Sequence, residues 1–181
     1  MRPEDVACDL LLENDGHSLI WTPVANYVEG NLDVASAMIR HEHTLLRLWD
    51  GGAHYGMISD SGYPTFMLSY WARDRTADGF GLPEVVKALS ANNAAAVGLR
   101  DRGQIRQGYK ADLNVIDLDR LTLRAPTVVR DLPAGGARLM QAADGFDCTI
   151  VSGVVIGRHG APTHALPGPL VRGARHAPRP A

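Results

Sequence analysis

The chain has 181 residues, 45% of them hydrophobic and 21% charged, enough length and apolar content for one folded domain or one and a half. Its formal net charge of −2 gives no electrostatic case for binding nucleic acid or an anionic membrane. No apolar run approaches the roughly 20 residues of a membrane span, and the acidic N-terminus lacks the apolar stretch of a signal peptide. The two cysteines, Cys8 and Cys148, have no CxxC partner and read as small buried apolar residues in a reducing cytoplasm.

In chain order, Pro3 followed by Glu4 and Asp5 starts a helix. The i,i+4 pairs Val6 with Leu10 and Ala7 with Leu11 give it an apolar face, and Asn14, Asp15 and Gly16 end it. Residues 18–21 form a short apolar strand closed by Pro23. A loop over 25–30 carries Asn26, Tyr27 and Glu29, and Asn31 caps a second helix with Leu32, Ala35 and Ile39 on one side. Residues 44–49 then form an apolar strand that ends on Asp50, with Gly51, Gly52, Ala53, His54 and Tyr55 after it. Helix, strand, helix, strand with short turns is the alternation of parallel βαβ units. In such units ligands sit beyond the carboxyl ends of the strands, which makes Tyr27, Asp50, Gly51, Gly52 and His54 the candidate site. The glycines permit a sharp turn and leave the site uncrowded. The same spacing also suits a plain strand-to-loop turn with a capping aspartate.

Pro64 opens a helix whose pairs Phe66 with Tyr70 and Met67 with Trp71 form an aromatic stripe suited to core packing. After a loop over 76–81, Leu82-Pro83-Glu84 starts another helix that buries Val85, Val86 and Leu89, continues or restarts at 94–97, and stops at Gly98. From about Gly103 the pattern turns to strands, over 113–116, 122–130, 137–141 and 148–158, with Ser152-Gly153 as a two-residue hairpin turn. The segment 174–181, rich in Arg, Pro and Ala, reads as a disordered tail.

The stretches LWDGGAHYG, SGYPTFMLSYWARDR, ANNAAAVGLRDRGQIRQGYKADLNVIDLDRL, DLPAGGARLMQ and TIVSGVVIGR resemble the C-terminal part of a metal-dependent amidohydrolase. Within that superfamily they most resemble the N-acyl-D-amino-acid deacylases, over about residues 3–173. The resemblance implies an α/β chain: the last βα units of a (β/α)8 barrel over 1–102, with 18–21 and 45–49 as its seventh and eighth strands, then strands of a small β-sandwich over 103–173. It implies removal of the acyl group from an N-acyl-D-amino acid by zinc-activated water, with Asp50 as general base and a possible metal ligand.

The departures are as informative. The family's His-x-His pair, its cysteine or carboxylate, and two further histidines find no counterpart here. His17, His41, His43, His54, His159, His164 and His176 lie elsewhere, and His41-Glu42-His43 falls between a helix and the eighth strand, where a solvated turn belongs. Trp49 stands where relatives usually have serine, and Asn92-Asn93-Ala94 stands for the common Asn-Pro-Ala, a lesser departure. The expectation is a fragment, inactive alone and not holding zinc stably, with the rest either a separate N-terminal chain as partner or missing from a truncated gene product. The alternatives are a non-catalytic remnant or structural subunit, and a small-molecule-binding module using Asn26, Tyr27 and the glycine loop.

Overall fold

Pro3 has no N–H to leave unsatisfied, so it opens the first helix, α1 (Pro3–Gly16), at no cost. The computed structural model that shows this describes residues 1–22, 25–46, 54–173 and 175–178. The Arg2 backbone N–H donates to Asp5 Oδ2 at 3.1 Å, and its guanidinium lies 3.0 Å from Oδ1. That pairing holds the Asp5 carboxyl below its ordinary value. Helical backbone stops at Leu12, because Glu13 is extended and Asn14 and Asp15 are left-handed (φ 52° and 55°), as the expected stop requires. The apolar face of α1 is uncovered: Val6, Leu10, Leu11 and Leu12 are exposed, and no residue of α1 is buried.

The strand expected over 18–21 does not form, and Leu19, Ile20 and Trp21 are exposed. A strand exists only where a neighbour supplies N–H and C=O groups, and among the described residues none pairs with this segment. Asn31 Oδ1 accepts the N–H of Asp33, the first residue of α2 (Asp33–Arg40), at 2.9 Å, although Leu32 and not Asn31 occupies the capping position. Leu32, Ala35 and Ile39 are partly covered and Ser36 is buried. Residues Met1–His41 form one compact unit and Glu42–Ala181 another.

In the second unit, α3 (Tyr63–Phe66) runs into π-helical Met67–Asp74. Half of the expected aromatic stripe is core: Met67 and Trp71 are buried, whereas Phe66 is exposed and Tyr70 half-buried. Phe66 and Tyr70 stack at 4.8 Å, and Phe80 meets Trp71 at 5.4 Å. Next, α4 (Leu82–Lys87) continues through π-helical Ala88–Asn92 into α5 (Asn93–Ala96), stopped by Gly98 at φ 74°. Val85 is buried, whereas Val86, expected inside, is exposed. Adjacent helical residues point about 100° apart, so one core face takes only one of them.

The remaining elements are β1 (Leu113–Ile116), β2 (Thr122–Leu123), β3 (Thr127–Leu132), β4 (Gly136–Met140), β5 (Ala143–Asp144), β6 (Phe146–Val151), β7 (Val154–Arg158) and β8 (Ala161–Pro162). They pair antiparallel as a sheet of order β1-β6-β7-β8 and as two ribbons, β2-β5 and β3-β4. The single strand expected over 122–130 is split in two around Pro126, which has no N–H to give a ladder. Ser152 and Gly153 both have positive φ, 49° and 81°, as a tight hairpin turn of this kind requires.

The fold is thus mixed α/β with antiparallel sheets. The parallel βαβ pairing expected for the first 50 residues is not found among the described residues. There the one parallel bridge joins Leu99 to Arg175, with the Arg175 N–H donating to the Gly98 carbonyl at 2.8 Å. Residues 44–46 are not in a strand, and 47–49 lie outside the described residues. Among the described residues no helix is long and apolar enough to cross a membrane.

Candidate functional site

Asp50, Gly51 and Gly52 lie outside the described residues, but both flanks of the segment that carries them are described. On the N-terminal side the Leu46 carbonyl accepts from two side chains, Asn93 Nδ2 at 2.7 Å and Tyr63 Oη at 3.3 Å. These donors come from the starts of α5 and α3. On the C-terminal side His54 is exposed with φ 75°, and its carbonyl accepts the N–H groups of Met57 and Ile58 at 2.8 and 2.9 Å. The Tyr55 carbonyl accepts the Leu139 N–H of β4 at 2.7 Å. His54 therefore organises a turn through its backbone, and the chain after it is pinned to the β3-β4 ribbon. Tyr27, 39% exposed, meets Trp21 edge-on at 6.4 Å. It belongs to the first unit and His54 to the second, so each is placed within its own unit.

His41-Glu42-His43 is an exposed turn after α2, as expected, with His43 Nε2 3.7 Å from Glu42 Oε1. His159 sits in the β7-β8 turn, 3.6 Å from the Asp147 carboxylate. Cys8 is exposed and Cys148 half-buried, which corrects the expectation that both are buried, and neither is in a disulfide. Among the described residues no three His, Cys, Asp or Glu side chains converge as metal ligands. The described residues therefore do not fit the zinc that the deacylase resemblance implies.

The motif GLRDRG–GYKADLNVID, by contrast, has a clear structural use. Arg102 Nε and Nη2 reach the two Asp101 oxygens at 3.0 and 3.3 Å, and Nη1 lies 3.4 Å from Asp112 Oδ2. Asp112 Oδ1 accepts the Ser152 N–H at 2.8 Å, and the Gly153 N–H donates to the Ala111 carbonyl at 2.9 Å. The motif thus ties the loop after α5 to the β6-β7 hairpin turn. Arg102 holds the Asp101 carboxyl below its ordinary value of 3.8, and Asp101 raises Arg102 in return. Arg102→Ala should cost about 2 kcal/mol at neutral pH, as expected for charge-assisted hydrogen bonds among half-buried groups. Because the Asp101 value is depressed on folding, its contribution is present above 3.8 and is lost as pH falls through the lower folded-state value. Urea unfolding of both proteins across acid pH checks this, and the gap between them should close in acid.

Three working residues escaped the sequence reading. Asn93 replaces the common proline, and its carboxamide makes a bond to Leu46 that proline has no group to make. Arg73 Nη1 donates to the carbonyls of Leu118 and Leu121 and so clamps the turn before β2. Gly145 fits its Cα against that turn, with the Asp117 N–H donating to its carbonyl at 2.8 Å. The Asn93 departure was a visible signal; the other two partnerships span long sequence separations and left none.

The sequence pattern of the Amidohydrolase family matches residues 39–156, a span that includes Asp50, both its flanks and the Arg102 network. The alpha-D-ribose 1-methylphosphonate 5-triphosphate diphosphatase of Escherichia coli (strain K12) is 37% identical over 59 residues, covering 32% of this chain and 16% of that relative. No solved structure matches.

Proposed function

Because the chain belongs to the amidohydrolase family, we propose that it is the C-terminal part of an N-acyl-D-amino-acid deacylase, in which Asp50 moves the proton. The family match across 39–156 carries this reading, since it spans the Asp50 segment and the anchors on either side. LWDGGAHYG and DLPAGG supply the resemblance to the deacylase branch. On this reading the antiparallel strands belong to a small sandwich.

Water adds to the amide carbonyl carbon while Asp50 takes one of its protons. As the C–N bond breaks, the proton passes to the leaving nitrogen, releasing a carboxylic acid and a D-amino acid. Gly51 and Gly52 leave room for the substrate, with His54 and Tyr27 as candidate contacts. Zinc, when bound in such enzymes, polarises the carbonyl and acidifies water. The described residues do not hold it, so its ligands belong to residues beyond these, in the same polypeptide or a companion chain.

Elemental analysis and amine release decide the matter together. The purified chain alone should carry well under one zinc and release no amine from N-acetyl-D-amino acids. Addition of a polypeptide carrying the His-x-His segment of a deacylase should restore both. Stoichiometric, tightly held zinc on the chain alone would contradict the absence of a ligand set. Restored zinc without amine release would favour a structural subunit. The likeness to the diphosphatase favours a second reading, hydrolysis of a phosphoric anhydride, which pyrophosphate release from a sugar 5-triphosphate without amine release would support.

A further inference from the structure

Residues 175–178 return to the loop that follows α5. Past Gly98 the helix is over, and the backbone groups that follow have no helical ladder to satisfy them. The Gly98 carbonyl accepts the Arg175 N–H at 2.8 Å. The Arg175 carbonyl in turn accepts the Arg100 N–H at 3.1 Å, which completes the parallel bridge between Leu99 and Arg175. The Arg100 N–H also faces the Gly98 carbonyl at 3.2 Å, so Arg175 is the partner it gains from outside the loop. Three residues further on, half-buried Pro178 sits against Gly108. A Cβ at Gly108 would lie 2.9 Å from Pro178 Cβ and 3.5 Å from its Cγ, and Gly108 has φ 83°. Glycine serves there twice, for the turn and for the close approach.

The two contacts bracket one loop. Its base is closed by the Lys110 N–H, which donates to the Asp101 carbonyl at 2.8 Å. Residues 175–178 touch the chain just before that closure, at 98–100, and again near the loop's other end, at Gly108. Between them Gln104, Ile105, Arg106 and Gln107 are exposed, Ile105 at 93%. The middle of the loop therefore has no core packing to hold it, and its order rests on a few bonds at its ends. We propose that residues 175–178 are a strap that holds the 101–110 loop in place, so that the order of this loop depends on a segment distant in sequence. Two backbone hydrogen bonds and one proline contact carry the strap; the Arg175 side chain is not needed for it. Each ordinary hydrogen bond shifts such an equilibrium by only about tenfold, so the strap opens without unfolding the sheet. Its release frees the loop and leaves β6 and β7 paired.

Residue-resolved amide hydrogen exchange on the full chain and three variants tests it. In the full chain the Arg175 amide should exchange at least about tenfold more slowly than in an unstructured peptide of the same sequence, the factor for one ordinary hydrogen bond. Ending the chain at Gly173 should quicken the Arg100 and Lys110 amides by about the same factor, while β6 and β7 keep wild-type protection. Arg175→Pro removes the N–H that reaches Gly98 and should act in the same direction. Arg175→Ala keeps both backbone groups and should exchange like the wild type. None of these rates should change with protein concentration, because the strap belongs to the same chain. An Arg175 amide that exchanges at the peptide rate would overturn the proposal, as would wild-type exchange at Arg100 and Lys110 in the shortened chain. Equal quickening in β6 and β7 would also contradict it, since the loss would then be one of global stability. Protection that rises with concentration would place the segment on a second copy and sink the intramolecular strap.

Discussion

Asp50→Asn should lower kcat for amide hydrolysis by about 10²- to 10⁴-fold, the range measured when a general acid–base group is removed. Asparagine has nearly the same size and hydrogen-bonding reach as aspartate but cannot accept a proton at neutral pH. The substitution therefore tests proton transfer with little change in packing. The loss should fall on kcat, with KM unchanged within a few-fold, because the missing interaction is one made in the transition state. The acid limb of the kcat/KM profile should also disappear, since it reports protonation of the free enzyme's base. Saturation kinetics of amine release across pH, on enzyme with zinc bound, gives both quantities. An unchanged kcat with a raised KM would make Asp50 a binding residue.

Gly145→Ala should cost about 3–5 kcal/mol of stability, a large share of the 5–15 kcal/mol available to a domain. Gly145 has φ 94°, and a Cβ there would lie 2.7 Å from Leu121 Cα, 2.8 Å from Leu121 N and 2.9 Å from the Asp117 carbonyl oxygen. All three are backbone atoms, so no rotamer change relieves the contact. The turn also has little freedom to retreat. Leu121 is fully buried, Arg73 holds its carbonyl at 2.8 Å, and the Asp117 N–H is bonded to Gly145 itself. Gly153→Ala is the control, since Gly153 has φ 81° but nothing within 4 Å of its Cβ position. It should lose only about 1 kcal/mol for the backbone conformation. Thermal unfolding should therefore separate the two, with a fall of about 10 °C or more for Gly145→Ala and a few degrees for Gly153→Ala. Equal losses would show that the backbone angle, and not the contact, sets the cost.

What the sequence made legible follows the range of the interaction. Pro3, Asn14 to Gly16, Asn31 and Ser152-Gly153 act through their own φ values or a partner two residues away, and each does what its residue type implies. The pairing of Phe66 with Tyr70 and the burial of Met67 and Trp71 were also readable from four-residue spacing, whereas the exposure of Phe66 was not. Residues 18–21 have strand composition, yet a strand needs a neighbour's hydrogen bonds, and composition cannot supply one. Asn93 and Leu46 are 47 residues apart, and Arg73 and Leu121 are 48 apart. Local pattern does not reach across such distances. The site divides in the same way. Spacing alone leaves Asp50 between a turn residue and a catalytic one, and the catalytic reading rests on the family resemblance. The flanking bonds at Leu46 and Tyr55 became visible only in three dimensions.

The most direct test is enantiomer-resolved amine release from a panel of N-acetyl-D- and N-acetyl-L-amino acids, using zinc-loaded enzyme that contains these residues. The account predicts hydrolysis of the D enantiomers at least about tenfold faster than the L, a modest discrimination for a shaped pocket, with the D activity lost in Asp50→Asn. Equal rates on both enantiomers, or D hydrolysis that survives Asp50→Asn, would contradict it.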